Sequence, residues 1–235
     1  MTMDREDRTV YEGGQGEIIE KKSRFIATVK PVKTEEEALE FIESLKKKYW
    51  DATHNCFAYI ISGGTPLKRC SDDGEPSGTA GRPMLDVLEG ESLSDVAVVV
   101  TRYFGGTLLG TGGLVRAYSG AVRAGLDASV LITRLRGIHL LIGTDYTGLG
   151  KIQYLLGQKG IKTLESQYTD AVELSVLVPD EEIKTLKQEI TEVTSGAAKL
   201  DEKEKCVFAV INGEPVILGE GLMRYLTWFT RPTVP

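Results

Sequence analysis

The chain of 235 residues has few cysteines, no long hydrophobic run and no signal-peptide pattern. Its three cysteines, Cys56, Cys70 and Cys206, are odd in number and far apart, which excludes a disulfide framework and a CxxC or zinc pattern. We therefore expect reduced thiols in a cytoplasmic protein. No segment approaches the roughly 20 apolar residues of a spanning helix, and the N-terminal MTMDREDRTV lacks an apolar core. The sequence predicts no membrane partner.

The chain also lacks an excess of positive charge. Its formal net charge is −6, while 41% hydrophobic and 26% charged residues are ordinary values for a globular protein. A negative total charge argues against a general polyanion binder. Any contact with nucleic acid must therefore come from a local basic patch.

The longest stretch without acidic residues lies between Asp95 and Asp127. The apolar run Val96 to Val100 predicts a buried strand, and a helical pattern follows from Gly113 to about Ala128. A glycine-rich connection joins them, and glycines and a helix N-terminus both bring backbone N–H groups close to an anion. The predicted anion or nucleic-acid site comprises Arg102, Tyr103, Phe104, Gly105, Gly106, Gly110, Gly112, Gly113, Arg116 and Arg123.

Two phosphate-binding motifs fit this stretch only in part. Gly105 and Gly110 have the GxxxxG spacing of a P-loop, but Thr111 stands where that motif needs Lys. Gly110 and Gly112 begin a GxGxxG fingerprint, but Val115 stands at its third glycine. The sequence therefore argues against nucleotide hydrolysis and a Rossmann cofactor, and we expect no cofactor. The alternative, that the glycines serve only tight turns and close packing, stays open.

Basic residues form two further clusters in the first half. Lys21, Lys22 and Arg24 interrupt strand-like sequence over residues 9–33 and predict a solvated hairpin turn. Residues 46–48 are lysines at the end of a predicted helix, where positive charge stabilises the helix dipole. Contact with phosphate is the alternative for both clusters. This helix begins at the capping box of Thr34 and Glu37 and has an apolar stripe of Ala38, Leu39, Ile42, Leu45 and Tyr49.

A second candidate site follows a strand predicted over His54 to Ile61. The segment from Cys70 to Gly81 is a loop by composition, before a short helix over Pro83 to Leu88. Its three carboxylates could ligate a hard metal ion, and its Ser or Thr hydroxyl could act as a nucleophile beside a histidine. A turn in which Asp and Ser satisfy backbone groups explains the same residues, so we assign no metal. The predicted ligand-loop residues are His54, Asp72, Asp73, Glu75, Ser77 and Thr79.

The pattern restarts near residues 131–135. We expect a domain at 1–132, a second at 133–211, and a tail at 212–235 that includes Trp228 and Phe229. The second domain has the order βαββαβ, which is typical of a ferredoxin-like fold. Its predicted elements are strand 137–143, helix 148–158, strands 161–168 and 171–178, helix 180–193 and strand 206–211.

Two long motifs, DDGEPSGTAG over Asp72 to Gly81 and VVTRYFGG over Val99 to Gly106, resemble the IMPACT family and its bacterial YigZ-like branch. The resemblance covers nearly the whole chain. It implies an α+β protein with a ribosomal protein S5 domain 2-like N-terminal domain and a ferredoxin-like C-terminal domain. It also implies a role near translation. Eukaryotic members restrain a stress-responsive kinase through an additional N-terminal domain. Only about ten residues precede the first predicted strand, so we do not carry that control over.

Three functional hypotheses follow. The first is a non-enzymatic regulator of translation that binds RNA or a ribosomal component through the glycine- and arginine-rich surface. The second is a metal-dependent hydrolase-type enzyme that uses His54 with Asp72, Asp73 and Glu75. The third is a regulator that binds a protein partner in translation control through the C-terminal domain. Salt-sensitive binding would favour the first, and a metal-dependent change in stability would favour the second.

Overall fold

The computed structural model describes residues 7–218 and divides into two compact units, Met1–Thr133 and Arg134–Pro235. None of the helices between residues 7 and 218 combines the length and apolar character needed to cross a bilayer. The predicted tail is in part a regular element, because Glu214–Ile217 forms a strand. The remainder of that tail, residues 219–235, lies outside the described residues.

The first unit is built on a five-stranded antiparallel sheet in the order β2-β3-β6-β4-β5. Its elements, in chain order, are β1 (Asp7–Glu12), β2 (Gln15–Glu20), β3 (Ser23–Pro31), α1 (Glu35–Lys48), β4 (His54–Ile61), β5 (Leu67–Ser71), α2 (Gly81–Gly90), β6 (Val96–Tyr103) and α3 (Thr111–Asp127).

Strand β6 is the centre of this sheet. Seven of its eight residues are buried, which explains an apolar run without alternation, since both faces are covered. Ala97 and Val99 belong to a core with α1, whereas Val98 and Val100 belong to a core with α2 and α3. The buried strand predicted here is confirmed. Because successive side chains of a strand point to opposite faces, alternate β6 residues enter the two different cores.

Helix α1 begins as predicted. The side chain of Thr34 accepts a hydrogen bond of 3.2 Å from the Glu37 backbone N–H, and the Glu37 carboxylate accepts one of 2.7 Å from the Lys33 N–H. The predicted stripe is wrong at one position: Leu39 is 47% exposed, and Phe41 is buried instead. Helix α3 begins at Thr111, two residues before the predicted start at Gly113, so Gly112 lies in its first turn rather than in the loop.

The register of the sheet brings distant segments to one end of it. Arg24 at the start of β3 pairs with Tyr103, and His54 at the start of β4 pairs with Arg102. Ser71 at the end of β5 pairs with Phe57 near the start of β4. We call this edge, where β3 and β4 begin and β5 and β6 end, the sheet end. The connections that meet there are residues 21–22, 49–53, 72–80 and 104–110.

The second unit has the predicted ferredoxin-like topology. Its sheet has the order β11-β10-β7-β9-β8, in which the four strands of the βαββαβ unit take the antiparallel order 4-1-3-2. Leu140, Ile142, Leu174 and Leu186 are completely buried in its core. Its elements are β7 (Val130–Thr144), α4 (Tyr146–Gln158), β8 (Thr163–Tyr168), β9 (Val172–Pro179), α5 (Ile183–Val193), β10 (Lys199–Ile211) and β11 (Glu214–Ile217).

Candidate nucleic-acid interface

A buried polar network connects the acidic loop, residues 72–80, to the sheet and to α3. Its hub is Glu75, which is 7% exposed. The Glu75 Oε1 atom accepts hydrogen bonds from Arg102 Nη1 at 2.6 Å and from the Tyr118 hydroxyl at 2.7 Å. Its Oε2 atom lies 3.8 Å from His54 Nε2. A carboxylate in the interior is tolerated only with such partners, so Glu75 fixes three elements relative to one another.

Arg102 is therefore not the solvent-facing phosphate ligand that the sequence predicts. It is 5% exposed, and its guanidinium lies over the Phe25 ring at 5.3 Å and the Phe104 ring at 5.6 Å. Its charge is neutralised by Glu75. The Nε atom is buried without a hydrogen-bond partner among the described residues, which leaves the cation dependent on the carboxylate and the two rings. Arg102 is a structural cation within this network.

Asp72 organises the acidic loop itself. Its carboxylate accepts backbone N–H bonds of 2.8–2.9 Å from Gly78, Ala80 and Gly81. Burial alone would raise the pKa of Asp72, but the three N–H donors outweigh it and hold this pKa below its usual range. Gly78 and Ala80 belong to the loop, and Gly81 is the first residue of α2. This carboxylate therefore closes the loop onto the helix.

The remaining members of the predicted ligand loop have separate partners. The Asp73 carboxylate accepts the Asn55 N–H at 2.7 Å and lies 3.5 Å from Lys46 Nζ. His54 Nδ1 lies 2.8 Å from the Asp73 carbonyl oxygen, which can only accept, so this nitrogen carries a proton. Thr79 is buried and donates to a backbone carbonyl, whereas Ser77 is exposed. No recorded contact joins Ser77 to His54.

The metal-site hypothesis is therefore wrong in its geometry. That alternative required Asp72, Asp73 and Glu75 to converge, but each binds a different set of protein groups. Among residues 7–218, no group of three or more His, Cys, Asp and Glu side chains is placed to hold a metal ion. The three carboxylates build the loop.

A buried thiol lies behind the Glu75 network. Cys56 Sγ lies 2.9 Å from the Asp72 carbonyl oxygen and 3.3 Å from the Tyr118 hydroxyl. Burial raises the pKa of Cys56 to about 12 and also raises the pKa of Tyr118. Both groups stay protonated at neutral pH and serve as hydrogen-bond donors. Neither is a nucleophile or a base at that pH.

The glycine-rich connection, residues 104–110, leaves the sheet end beside the β2–β3 turn. A side chain at Gly105 would collide with the backbone of Lys22 and Ser23, and its N–H donates to Ser23 Oγ at 3.1 Å. Gly106 and Gly110 have φ of 83° and 73°, which only glycine adopts readily. These glycines therefore bring the connection close to the turn that carries Lys21 and Lys22, a juxtaposition that sequence spacing does not reveal.

The two arginines of α3 have different surroundings. Arg116 is exposed, and its Nη1 would lie 3.6 Å from a side-chain carbon at Gly112, next to the first turn of the helix. That first turn has neither an acidic residue nor a side-chain cap on its N–H groups. Arg123 instead lines a groove of about 380 Å³ between α2 and α3, together with Asp86 and Glu91. The structure thus places Arg116 near N–H groups without a side-chain cap and Arg123 near carboxylates.

Several exposed residues at the sheet end were not part of the predicted site. Trp50 is 82% exposed in the connection between α1 and β4. Its neighbour Asp51 accepts a 2.9 Å hydrogen bond from the Tyr103 hydroxyl, and Thr53 Oγ1 accepts one of 3.3 Å from the Phe104 N–H. We define the basic–aromatic surface by exposed or half-buried residues of three of these connections and of the ends of α1 and β6 beside them: Lys21, Lys22, Lys47, Lys48, Trp50, Tyr103 and Phe104.

Comparison with known proteins places the chain in a family. Residues 21–126 match the Impact N-terminal domain, and residues 142–197 match a domain of unknown function, DUF1949. The IMPACT family member YvyE of Bacillus subtilis is 45% identical over 198 residues, which cover 83% of this chain and 90% of YvyE. The chain belongs to the IMPACT family. The family resemblance predicted from the two sequence motifs is thereby confirmed.

Two further relatives agree with this assignment. The IMPACT family member YigZ of Escherichia coli is 36% identical, over 77% of this chain and 89% of YigZ. A solved structure described as a hypothetical protein is 34% identical and superposes with a TM-score of 0.53, covering 84% of this chain and 97% of the other. Both alignments, of 198 and 182 residues, are longer than the first unit Met1–Thr133, so these two bacterial relatives match sequence in both units of this chain.

Proposed function

We propose that this IMPACT-family protein is a cytoplasmic, non-enzymatic regulator of translation that binds RNA of the ribosome or of a ribosome-associated component. The observation that carries the proposal is the basic–aromatic surface at the sheet end. Its lysines, Lys21, Lys22, Lys47 and Lys48, are exposed and have no ion pair among the described residues. Four unpaired cations on an acidic protein form the local patch that phosphate binding needs.

Three acidic groups near this surface have side-chain partners, whereas the exposed Glu20 beside Lys21 has none among the described residues. Glu17 forms a bidentate pair with Arg24 at 2.9 and 3.0 Å, and Asp51 accepts the Tyr103 hydroxyl. Asp73 is paired with Lys46. Arg24 and Lys46 neutralise Glu17 and Asp73, whereas Asp51 keeps its charge because its partner is a neutral hydroxyl. The four lysines therefore leave an excess of positive charge over Glu20 and Asp51. An approaching phosphate backbone would therefore meet a net positive field.

A second phosphate-binding site is proposed where the glycine-rich connection enters α3. The first-turn N–H groups of this helix have no side-chain cap, and the N-cap residue Gly110 presents no side chain that would block them. The Arg116 guanidinium lies beside the same turn. An oxygen of a phosphate could accept from the backbone and from Arg116 together. We therefore keep the predicted anion-binding role for Arg116 but not for Arg102, whose charge is neutralised by Glu75.

The test compares binding of ribosomes and protein-stripped ribosomal RNA at two salt concentrations. The variant is Lys21→Gln, Lys22→Gln and Arg116→Gln combined, because these side chains are exposed and their removal leaves the core intact. Each lost phosphate contact should reduce the slope of log K against log salt by about 0.7, so the triple variant should lose about 2. Arg102→Glu is unsuitable here, since it would place two carboxylates together in the interior.

A matched control removes three positive charges from the second unit: Lys184→Gln, Lys199→Gln and Lys205→Gln, all exposed. This control should retain the wild-type affinity and salt slope. If both triple variants lost equal affinity, the effect would depend only on the total charge of the protein, and the proposed surface would be overturned. Binding to intact ribosomes without binding to stripped RNA would identify a protein ligand and overturn the RNA proposal.

A further inference from the structure

Three aromatic side chains at the sheet end remain unexplained by packing. Trp50 is 82% exposed and Phe104 47% exposed, while Tyr103 is half-buried. Large aromatic residues that are exposed together at one end of a sheet often mark a binding site, because solvent exposure of such area is unfavourable. Resting on the proposed function, we infer that Trp50, Tyr103 and Phe104 form a stacking site for unpaired nucleobases, and that the ligand is single-stranded rather than duplex RNA.

The rings are held before any ligand arrives. The Tyr103 hydroxyl donates a hydrogen bond to the Asp51 carboxylate, and the Arg24 guanidinium lies 5.8 Å from the Tyr103 ring centroid. Arg24 is itself fixed by two hydrogen bonds to Glu17. A tyrosine with its hydroxyl and ring both anchored loses little conformational entropy when a base stacks on it.

Phe104 is held in place by contacts with Arg102 and Thr53. Its ring lies over the Arg102 guanidinium, which Glu75 holds in the interior. Its backbone N–H donates to Thr53 Oγ1, in the same connection that carries Trp50. One side of the Phe104 ring thus contacts a fixed cation, while almost half of the residue is exposed to solvent. That exposed portion is available for stacking.

Tyr103 and Phe104 are consecutive residues where β6 ends, so their side chains leave opposite faces of the sheet. Bases on the two rings would therefore be separated across the sheet end instead of stacked on each other. A single strand with splayed bases meets this condition, whereas a duplex keeps its bases paired and stacked. Lysines lie close along the chain or in space to two of these residues: Lys48 is two residues before Trp50, and the Lys22 backbone lies close to Gly105, the residue after Phe104. Phosphates on either side of a stacked base would have a cation within reach.

The experiment uses the full chain with Trp228→Phe, so that Trp50 is the single tryptophan. Three probes are compared: an unstructured RNA oligonucleotide, the same strand annealed to its complement, and inorganic polyphosphate. The single strand should bind more tightly than the duplex and quench Trp50 fluorescence. Polyphosphate should bind to the lysines without quenching, because it has no base to stack.

Alanine variants then separate stacking from charge. Trp50→Ala and Phe104→Ala should each weaken binding of the single strand about 5- to 150-fold with an unchanged salt slope, since no phosphate contact is lost. Trp50→Ala carries no folding risk, because its side chain is exposed. Tyr154→Ala in the second unit, 69% exposed, is the matched control and should bind normally. Tyr103→Phe keeps the ring and should retain most of the affinity.

The two proposals fail in distinguishable ways. Equal affinity for single strand and duplex, with Trp50 unquenched and both alanine variants unaffected, would overturn the stacking site and leave the lysine surface standing. No binding of any RNA at low salt would remove the proposed function and the stacking site with it. Quenching by polyphosphate equal to that by RNA would show a conformational response instead of stacking, and would also overturn the inference.

Discussion

The ion pair of Glu75 and Arg102 offers the sharpest test of the structure. In Glu75→Gln, the Arg102 guanidinium remains in a site where it is 5% exposed but loses its carboxylate at 2.6 Å. Removing one partner of a buried pair costs about 3–5 kcal/mol, because an uncompensated charge stays in the interior. For a unit of this size the melting temperature should fall by about 9–25 °C, at roughly 3–5 °C per kcal/mol. The Tyr118 hydroxyl can still donate to the amide oxygen of the substituted side chain, so the loss reflects the charge rather than that hydrogen bond.

The assay is hydrogen exchange followed by mass spectrometry on peptides from β6 and α3. This measurement reports the opening free energy of the first unit alone, which a melting curve of a two-unit chain does not separate. Glu17→Gln is the matched control, since Glu17 and Arg24 also form a Glu–Arg ion pair, but their side chains are 37% and 51% exposed. That exposed pair should contribute little, because water and salt screen it.

A double-mutant cycle completes the argument. Arg102→Met leaves the Glu75 carboxylate buried, whereas Glu75→Gln combined with Arg102→Met removes both charges. The double variant should lose less stability than the sum of the single variants, with a coupling energy of about 2–3 kcal/mol. If Glu75→Gln costs less than about 1 kcal/mol, or if the two losses simply add, then Arg102 is not held in the interior by Glu75. Arg102 would in that case be available again as a ligand for phosphate.

Two further predictions concern the connections of the sheet end. The folded-state pKa of Asp72 is lowered, so the Asp72 carboxylate contributes fully to stability above its unfolded pKa of about 3.9, and this contribution is lost as pH falls through the folded value. Asp72→Asn should therefore destabilise the protein at pH 7 and weaken the dependence of its stability on acid pH. Urea titrations in which wild type and variant lose equal stability between pH 7 and pH 3 would refute this. Gly105→Ala should cost about 1–3 kcal/mol in thermal unfolding because the added carbon collides with the Lys22 backbone, whereas Gly64→Ala, where no atom lies within 4 Å of the added carbon, should be nearly neutral.

The elements of the fold could be predicted where the signal is local. The capping box at Thr34, the apolar run of β6 and the βαββαβ order each follow from residues close together in the chain. Errors appeared where tertiary packing decides between similar local patterns. Leu39 and Phe41 are two residues apart on one helix, and only the position of the sheet beneath α1 selects Phe41 for the core. The start of α3 was placed late because glycines in a first turn look like loop residues.

The role of Arg102 was the main error at the candidate site, and one local signal could have corrected it. Val98, Val100 and Arg102 occupy alternate positions of a strand, so Arg102 points toward the same interior as the two valines. A cation on that face needs a buried carboxylate. The identity of that carboxylate was not readable, since Glu75 lies 27 residues away and reaches Arg102 only through the register of β4, β5 and β6.

The absence of acidic residues between Asp95 and Asp127 therefore has a different meaning from the expected one. The missing acidic residue is supplied by another part of the chain: Glu75 enters from the acidic loop and neutralises Arg102 inside the protein. The free positive charge then belongs to Arg116 and to the lysines of the sheet end, which come from segments that the sequence treats separately.

This division between buried and exposed charge leads to a specific relation between stability and binding. Substitutions of the exposed lysines should change RNA affinity without changing stability, because surface side chains outside such networks contribute little to it. A change at Glu75 should affect both properties, since Glu75 positions Arg102, Arg102 supports the Phe104 ring, and Phe104 is one of the stacking groups. If Glu75→Gln weakened folding yet left the affinity of the remaining folded protein for single-stranded RNA unchanged, Phe104 would not depend on the buried network, and the acidic loop would serve stability alone.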